Sequence, residues 1–470
     1  MKPLRLLALL LSLLLLPALH AEPTVVTVDP RQTRQEFQGM GCGAIFYEAH
    51  ITSLGGGGKK AEQEQLYDDL FAKVRTGFLQ LMIRHDAEPQ NDNADPYTQA
   101  FAPGAFDWCS HSLEISAAAK KRNPSTRLYA VFYTPPAWMK TNNNPSGGGK
   151  TRGTLKEGLE LEMAEYLWAY LTHMHRHGQS IDFLSICNEP DWPHDQPGYF
   201  LTPERHASLF AKVAAYLETM ARRHPDVPMP KLVAPNMLSA VDAADRVLPA
   251  LLKSAGRHVA VVGCHDYDRR GERWTKLRKA AGARPLWMTE CSFNGEDKSP
   301  GLIRSAGEYW LYMTEAFNQG VNVWMAYDWV YPPRQGGEAL VHVEWGRSYQ
   351  LTKIYHGFRQ WCAPLSPGMK IADTRVAGPF ASGISKPGIK AASFVSPDGR
   401  TLVVHLAAVQ DADAEVEIRL GSPFERARHQ SWRTSGTEDI AKLPDGSLDH
   451  GRLTTKLPAR AMLTLRFQRF

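Results

Sequence analysis

Ile181-Asp-Phe-Leu-Ser-Ile-Cys187 is a short apolar run that closes on Asn188-Glu189-Pro190. Pro285-Leu-Trp-Met-Thr-Glu290 repeats the pattern and runs on into Cys291-Ser-Phe-Asn-Gly295. Each run is short and flanked by turn-forming residues, as a buried strand is, rather than long and periodic like a helix. Each ends on a glutamate. In a barrel of parallel strands, residues at the strand C-termini face a common mouth.

Around these two runs, apolar segments alternate with amphipathic helical ones. Strand-like runs cover residues 37–45, 79–84, 128–133, 181–187, 231–235, 259–264, 285–290 and 321–328. Helical patterns such as 61–74, 158–177, 203–222 and 301–318 lie between them. This alternation fits a (β/α)8 barrel better than an open doubly wound sheet. No Gly-x-Gly-x-x-Gly follows the first run, which argues against a nucleotide-binding sheet. Glu189 then ends the fourth strand and Glu290 the seventh. After residue 364 come short alternating strands with Pro-Asp-Gly turns at 397–399 and 444–446, a β-sandwich pattern. Residues 24–29 alternate as well and are expected to join that sheet. The expected organisation is a leader over 1–21, a strand segment over 22–36 joining the sandwich, a barrel over 37–363 and a β-sandwich side domain over 364–470.

The leader reading rests on Lys2 and Arg5, a Leu-rich run over 6–16, and a cleavage position near Ala21. That run is short of the roughly 20 residues a membrane span needs. The expectation is an exported chain, periplasmic or extracellular, with no membrane span. A formal net charge of +5 is too weak to argue for nucleic acid or an anionic membrane as partner. A monomer is expected.

Two carboxylates at one mouth suit the cleavage of a glycosidic bond with retention, one as acid/base and one as nucleophile. Beside Glu189, Asn188 is placed to donate to a sugar hydroxyl. A nucleophile stays ionised with the help of donors or a cation. Tyr267, after the sixth strand, is a candidate donor and Arg84, after the second, a candidate charge. Arg84 reads equally as the partner of an acid such as Asp86. His265 and Tyr267 are two apart in an extended segment and share a face, while Asp266 and Asp268 take the other. Tyr133, Trp138, Trp192, Phe293, Trp324 and Trp329 gather at the same end. Trp324 is the candidate floor of the sugar site, with Trp138, Trp192 and Trp329 around it. About half of the 12 tryptophans are expected to be plain packing. His173, His175 and His177 splay around a helix and make a poor metal site, so no metal and no cofactor is expected. The six cysteines read as buried thiols or as disulfides.

Several segments resemble glycoside hydrolase family 30, within the retaining barrel clan GH-A. Gln35-Glu-Phe-Gln-Gly-Met-Gly41 is similar to the family's entry motif. Thr134-Pro-Pro-Ala-Trp-Met-Lys-Thr-Asn142 with Gly147–Gly149 is similar to its segment after strand three. Asn188-Glu189-Pro190 resembles the acid/base motif, and Trp287-Met-Thr-Glu290 the nucleophile motif. His356-Gly-Phe-Arg-Gln-Trp361 and Pro367-Gly368 resemble the exit into the side β-domain. The resemblance implies a retaining β-glycosidase acting on an oligo- or polysaccharide, with Glu189 as acid/base and Glu290 as nucleophile. The sequence departs from the pattern at Cys42–Phe46, at Ile83–Asp86 and in the acidic, Asn-rich loop 88–95, all near the pocket. Arg334 is placed to meet an acidic sugar or to sit in solvent. The alternatives are another clan member, such as a family 5 endoglucanase, or a non-catalytic glycan-binding protein on the same scaffold.

Overall fold

The computed structural model describes residues 22–192, 195–292, 301–333, 339–382, 387–448 and 450–470. The leader, Phe293 and Arg334 lie outside the described residues.

Eight parallel strands close into a barrel: β2 (Gly39–Ala44), β3 (Phe78–Ile83), β4 (Arg127–Phe132), β5 (Phe183–Ser185), β6 (Lys231–Met237), β7 (Val259–His265), β8 (Leu286–Cys291) and β9 (Val323–Ala326), with β9 pairing back to β2. They match the eight apolar runs of the sequence. β1 (Thr24–Glu36) precedes the barrel. Helices α1 (Glu48–Gly56), α2 (Lys60–Tyr67), α3 (Ser110–Arg122), α4 (Glu160–Arg176), α5 (Pro203–Arg223), α6 (Ala240–Asp242), α7 (Leu248–Ala255), α8 (Arg273–Ala281), α9 (Ile303–Asn318) and α10 (Lys353–Cys362) complete the unit. Local chemistry sets where some begin. Thr202 accepts from the Arg205 N–H ahead of Pro203 at the start of α5, and Thr352 caps α10 through Tyr355 N–H.

Strand parity sorts the barrel side chains. Phe78, Met82, Tyr129, Val131, Phe183, Val233, Val261, Trp287, Val323 and Met325 fill the interior. The opposite parity, including Leu79, Leu81, Leu128, Ala130, Met288 and Trp324, packs against the helices. Gly263 faces inward, where an added Cβ would lie 2.5 Å from Val233 Cγ1 and 2.9 Å from Thr289 Cγ2. A side chain there would push the interior apart just below the mouth.

A small sheet of β10 (Val330–Tyr331), β11 (Val341–Glu344) and β12 (Ser348–Leu351) follows the last barrel strand. The remaining strands are β13 (Lys370–Ala377), β14 (Ile389–Val395), β15 (Thr401–Ala408), β16 (Ala414–Leu420), β17 (Ala427–Thr434), β18 (Ala441–Leu448), β19 (Arg452–Leu457) and β20 (Met462–Arg469). With β1 they form a nine-stranded sheet, in which β1 lies between β13 and β16. Leu448 and Leu457, from its two edge strands, share one apolar core with Val26, Val404 and Phe467. The sheet therefore folds over on itself as an accessory β-domain. α10 ties this domain to the barrel. Gln360 Nε2 donates to Trp432 O at 3.0 Å and Met462 O at 3.2 Å, and Trp361 stacks on His405 at 4.3 Å. All six cysteines are buried free thiols.

Candidate active site

The mouth is assembled where the strands depart from regular alternation. Trp287 and Thr289 point inward on β8, so strict parity would send Glu290 outward with Met288. Register shifts against β7, between Cys264 and His265, and against β9, between Met288 and Cys291, break that parity. Such irregularities re-aim a side chain. Here Glu290 turns into the mouth while Cys291 joins the helix-side core. Asn236 follows the same logic at the end of β6, with φ of 54° beside a register shift. Its Oδ1 accepts from Tyr129 Oη at 3.1 Å and Thr289 Oγ1 at 2.7 Å, and its Nδ2 donates to Cys187 O at 3.0 Å. Asn236 O in turn accepts from Glu189 N–H at 3.0 Å. Asn236 is thus the bracket that holds the Glu189 segment against the barrel.

Glu189 lies beyond the end of β5, in a left-handed conformation with φ of 45°. A non-glycine residue held there stores about 1–3 kcal/mol, and such strain collects at functional sites. His265 Nδ1 is 2.9 Å from Glu189 Oε1 and 3.7 Å from Glu290 Oε1. Tyr267 Oη donates to Glu290 Oε1 at 3.0 Å, and Tyr133 Oη to Glu290 Oε2 at 3.2 Å. Burial holds the Glu189 carboxyl up at about 7. Burial also raises Glu290, and the charge of Glu189 adds to the rise. His265, Tyr267 and Tyr133 pull it back. Burial lowers His265, which favours the neutral imidazole, so its contact with Glu189 carries one proton between the two groups. Ligand atoms of Glu189, His265 and Glu290 all lie within 4.8 Å of one another. Two carboxylates and an imidazole in that space suit a metal or a proton-transfer pair. The hydrogen bonds already made by Tyr133, Tyr267 and His265 fit the second.

The other sequence candidates separate. Asn188 is buried beside Glu189, and its Oδ1 has no partner among the described residues. Trp192 stands 54% exposed in the turn after Glu189, its N–H bonded to Glu189 O at 2.9 Å. Trp138, on the short turn Ala137–Met139 after β4, is half-buried and donates to Glu88 O at 2.9 Å. Arg84 is corrected as the cation for the nucleophile. Its guanidinium is taken by Asp86, at 2.8 Å from Nε and 2.5 Å from Nη2, and His85 and Arg84 hold that carboxyl down at about 2. Asp266 turns away from the mouth and ion-pairs with Arg273 in the core. Asn236 was not among the expected site residues, and Tyr133 was expected only as one of the aromatics at the mouth, with no role toward Glu290. Tyr133 carried a signal, because it continues the inward parity of Tyr129 and Val131.

Trp324 and Trp329 are corrected as sugar-facing residues. Both are fully buried. On β9 the inward positions are Val323 and Met325, so Trp324 points to the helix layer, against Tyr309 and Phe358. Trp329 packs on Phe71 and Phe358. Trp324→Ala is therefore expected to cost about 3–5 kcal/mol of stability, read by denaturant unfolding. KM of the folded fraction is expected to stay unchanged. A raised KM without destabilisation would restore the sugar-floor reading.

Comparison with known proteins agrees with this architecture. Residues 97–223 match the model of O-Glycosyl hydrolase family 30. The chain is 23% identical over 442 residues to endo-1,6-beta-D-glucanase neg1 of Aspergillus fumigatus, covering 85% of this chain and 84% of that one. It is 22% identical over 403 residues to putative glucosylceramidase 2 of Caenorhabditis elegans, covering 80% and 75%. Among solved structures, the catalytic domain of GH30 xylanase C from Talaromyces cellulolyticus superposes with a TM-score of 0.73 at 18% identity, over 94% of this chain and 100% of that one. The endo-beta1,6-glucanase BT3312 gives 0.69 at 15% identity, over 96% of each chain. With its barrel, its accessory β-domain and these relatives, the chain is similar to glycoside hydrolase family 30 and is a glycosidase.

Proposed function

We propose that the chain is an exported β-glycoside hydrolase that works by double displacement, with Glu189 as acid/base and Glu290 as nucleophile. One observation carries the reading: an oxygen of Glu189 and an oxygen of Glu290 lie within 4.8 Å of each other. So close an approach of one oxygen from each favours the roughly 5–5.5 Å carboxyl spacing of retaining enzymes over the inverting spacing of about 6.5–9.5 Å. Glu290 attacks the anomeric carbon while Glu189 protonates the leaving oxygen. Glu189 then takes a proton from the water that displaces Glu290. Tyr133 and Tyr267 each donate to Glu290 and keep it ionised and oriented. Asn188, with its unpartnered amide oxygen, is placed to bind a sugar hydroxyl, and Trp138 and Trp192 to form the walls. The substrate we propose first is a β-1,6-linked glucan. Two proteins similar to this chain carry that activity in their names, and product analysis against xylan and simple β-glucosides tests the choice.

Two carboxyls this close titrate as a pair, and their apparent pKa values belong to the pair. The productive state has Glu189 protonated and Glu290 ionised. Glu189 is held up at about 7, so kcat/KM is expected to fall as pH rises through that region and removes its proton. On the acid side it is expected to fall as Glu290 takes up a proton. A kcat/KM profile that stays flat well above neutral pH would contradict the assignment of Glu189.

A further inference from the structure

Trp345 stands 57% exposed at the tip of the hairpin between β11 and β12. Its backbone is fixed. Gly346 N–H donates to Ser53 Oγ at 3.0 Å and Lys59 Nζ to Arg347 O at 2.6 Å, which bolts the tip to α1 and the turn after it. His50, in the first turn of α1, meets the indole edge-to-face with ring centroids 4.9 Å apart. A T-shaped contact covers at most one face of the indole. A large apolar ring is thus held in place with a face left to solvent.

The ring continues others. His50 lies 5.5 Å from Tyr47, Tyr47 4.7 Å from Tyr331, and Tyr331 6.2 Å from Tyr327, centroid to centroid. Phe46, next to Tyr47 in the chain, meets Tyr133 at 5.2 Å, and Tyr133 Oη donates to Glu290. A strip of rings therefore leads from the residue that holds the nucleophile out to Trp345. Phe46 is held at φ 59°, where a bulky side chain is an outlier. Asp328 Oδ2 accepts from the preceding Ile45 N–H at 3.1 Å and fixes that bend. Such strain collects at functional sites.

The strip belongs to one side of the mouth. It grows from the segments after β2 and β9, which pair with each other, whereas Glu189 and Trp192 follow β5, across the ring of eight strands. With Glu189 as acid, the leaving part of the substrate lies on its side, so the strip receives the part that stays with Glu290. The C–H faces of pyranose rings carry partial positive charge and suit the negative faces of aromatic rings.

We propose that the strip from Phe46 to Trp345 binds a run of sugar residues on the glycone side of the cleaved bond, with Trp345 as its outermost platform, so that the enzyme cuts inside glycan chains rather than removing single terminal sugars. The proposal rests on the roles given above to Glu189 and Glu290.

The test uses the full chain and 4-nitrophenyl β-glycosides whose glycone is one to four β-1,6-linked glucose units. Series of β-1,4-linked glucose and xylose run alongside, so that a wrong linkage shows as cleavage of another series and not as a flat length profile. In wild type, kcat/KM is expected to rise about tenfold or more from the shortest to the longest glycone, mainly through KM. Trp345→Ala is expected to remove most of that gain, read as the ratio of the two kcat/KM values. Trp345→Phe keeps a flat face and is expected to restore much of it. Trp345 is exposed, so the unfolding midpoints are expected to agree. Calorimetric titration of Glu290→Gln with the free oligosaccharides reads the strip without turnover. The tetrasaccharide is expected to bind it about tenfold tighter than it binds the double variant with Trp345→Ala. No gain with glycone length, or the same gain in Trp345→Ala, overturns the proposal. So does a Trp345→Ala variant whose only change is a smaller sedimentation coefficient, which would give the ring to a second copy of the chain. Length-dependent binding without hydrolysis of any series would strike the reading of Glu189 and Glu290 and uphold the strip.

Discussion

Glu290→Gln is expected to lower kcat/KM on the cleaved glycan by about five to six orders of magnitude, the scale of losing a covalent nucleophile. At 1.36 kcal/mol per tenfold, that is about 7–8 kcal/mol of transition-state stabilisation. The fold is expected to survive. Gln keeps the volume; its amide oxygen accepts from one of Tyr267 Oη and Tyr133 Oη, and its amide nitrogen donates to the other, whose hydroxyl rotates to accept. It also removes the like charge opposite Glu189, which helps to raise Glu290. Unfolding midpoints of variant and wild type are therefore expected to agree closely. A variant that keeps more than about a hundredth of the wild-type rate would contradict the role of Glu290.

Glu189→Ala is expected to separate substrates by leaving group. Glycosides with poor leaving groups need the proton, and their kcat/KM is expected to fall by about 10²–10⁴. Aryl glycosides with nitrophenolate leaving groups need little protonation, so their first step is expected to stay near the wild-type rate. Turnover then stalls at the covalent intermediate, because Glu189 no longer activates water. Added azide is expected to restore turnover and to yield a glycosyl azide with the configuration of the substrate. The alkaline limb of the pH profile is expected to vanish with Glu189. An equal loss on all substrates, with no azide product, would contradict the acid/base role.

Much of the frame was legible because hydrophobic period and strand order are sequence-local. The eight apolar runs, the helical patterns between them and the texture change after residue 364 each reflect burial on one face or both. Residues 24–29 read as a strand, and β1 does enter the second sheet beside β13 and β16. The mouth was less legible because its side chains are aimed by irregularities. Parity alone sends Glu290 toward the helices, and the register shifts on both sides of β8 reverse it. The positive φ of Glu189 has no signature in its residue type, and that of Asn236 only the weak one that Asn tolerates the left-handed region. Trp324 shows the opposite failure. Regular parity on β9 sends it outward, but an aromatic beside a catalytic strand end was read for its chemistry rather than its direction. Arg84 was ambiguous for a different reason. Asp86, two residues away, competes for it, and a short-range pair forms more easily than one across the barrel.

The central claim is that Glu189 and Glu290 act as one retaining pair. Its most direct test follows hydrolysis of the cleaved glycoside by proton NMR before mutarotation. The account predicts that the first product signal is the anomer with the configuration of the substrate. First appearance of the opposite anomer would contradict it.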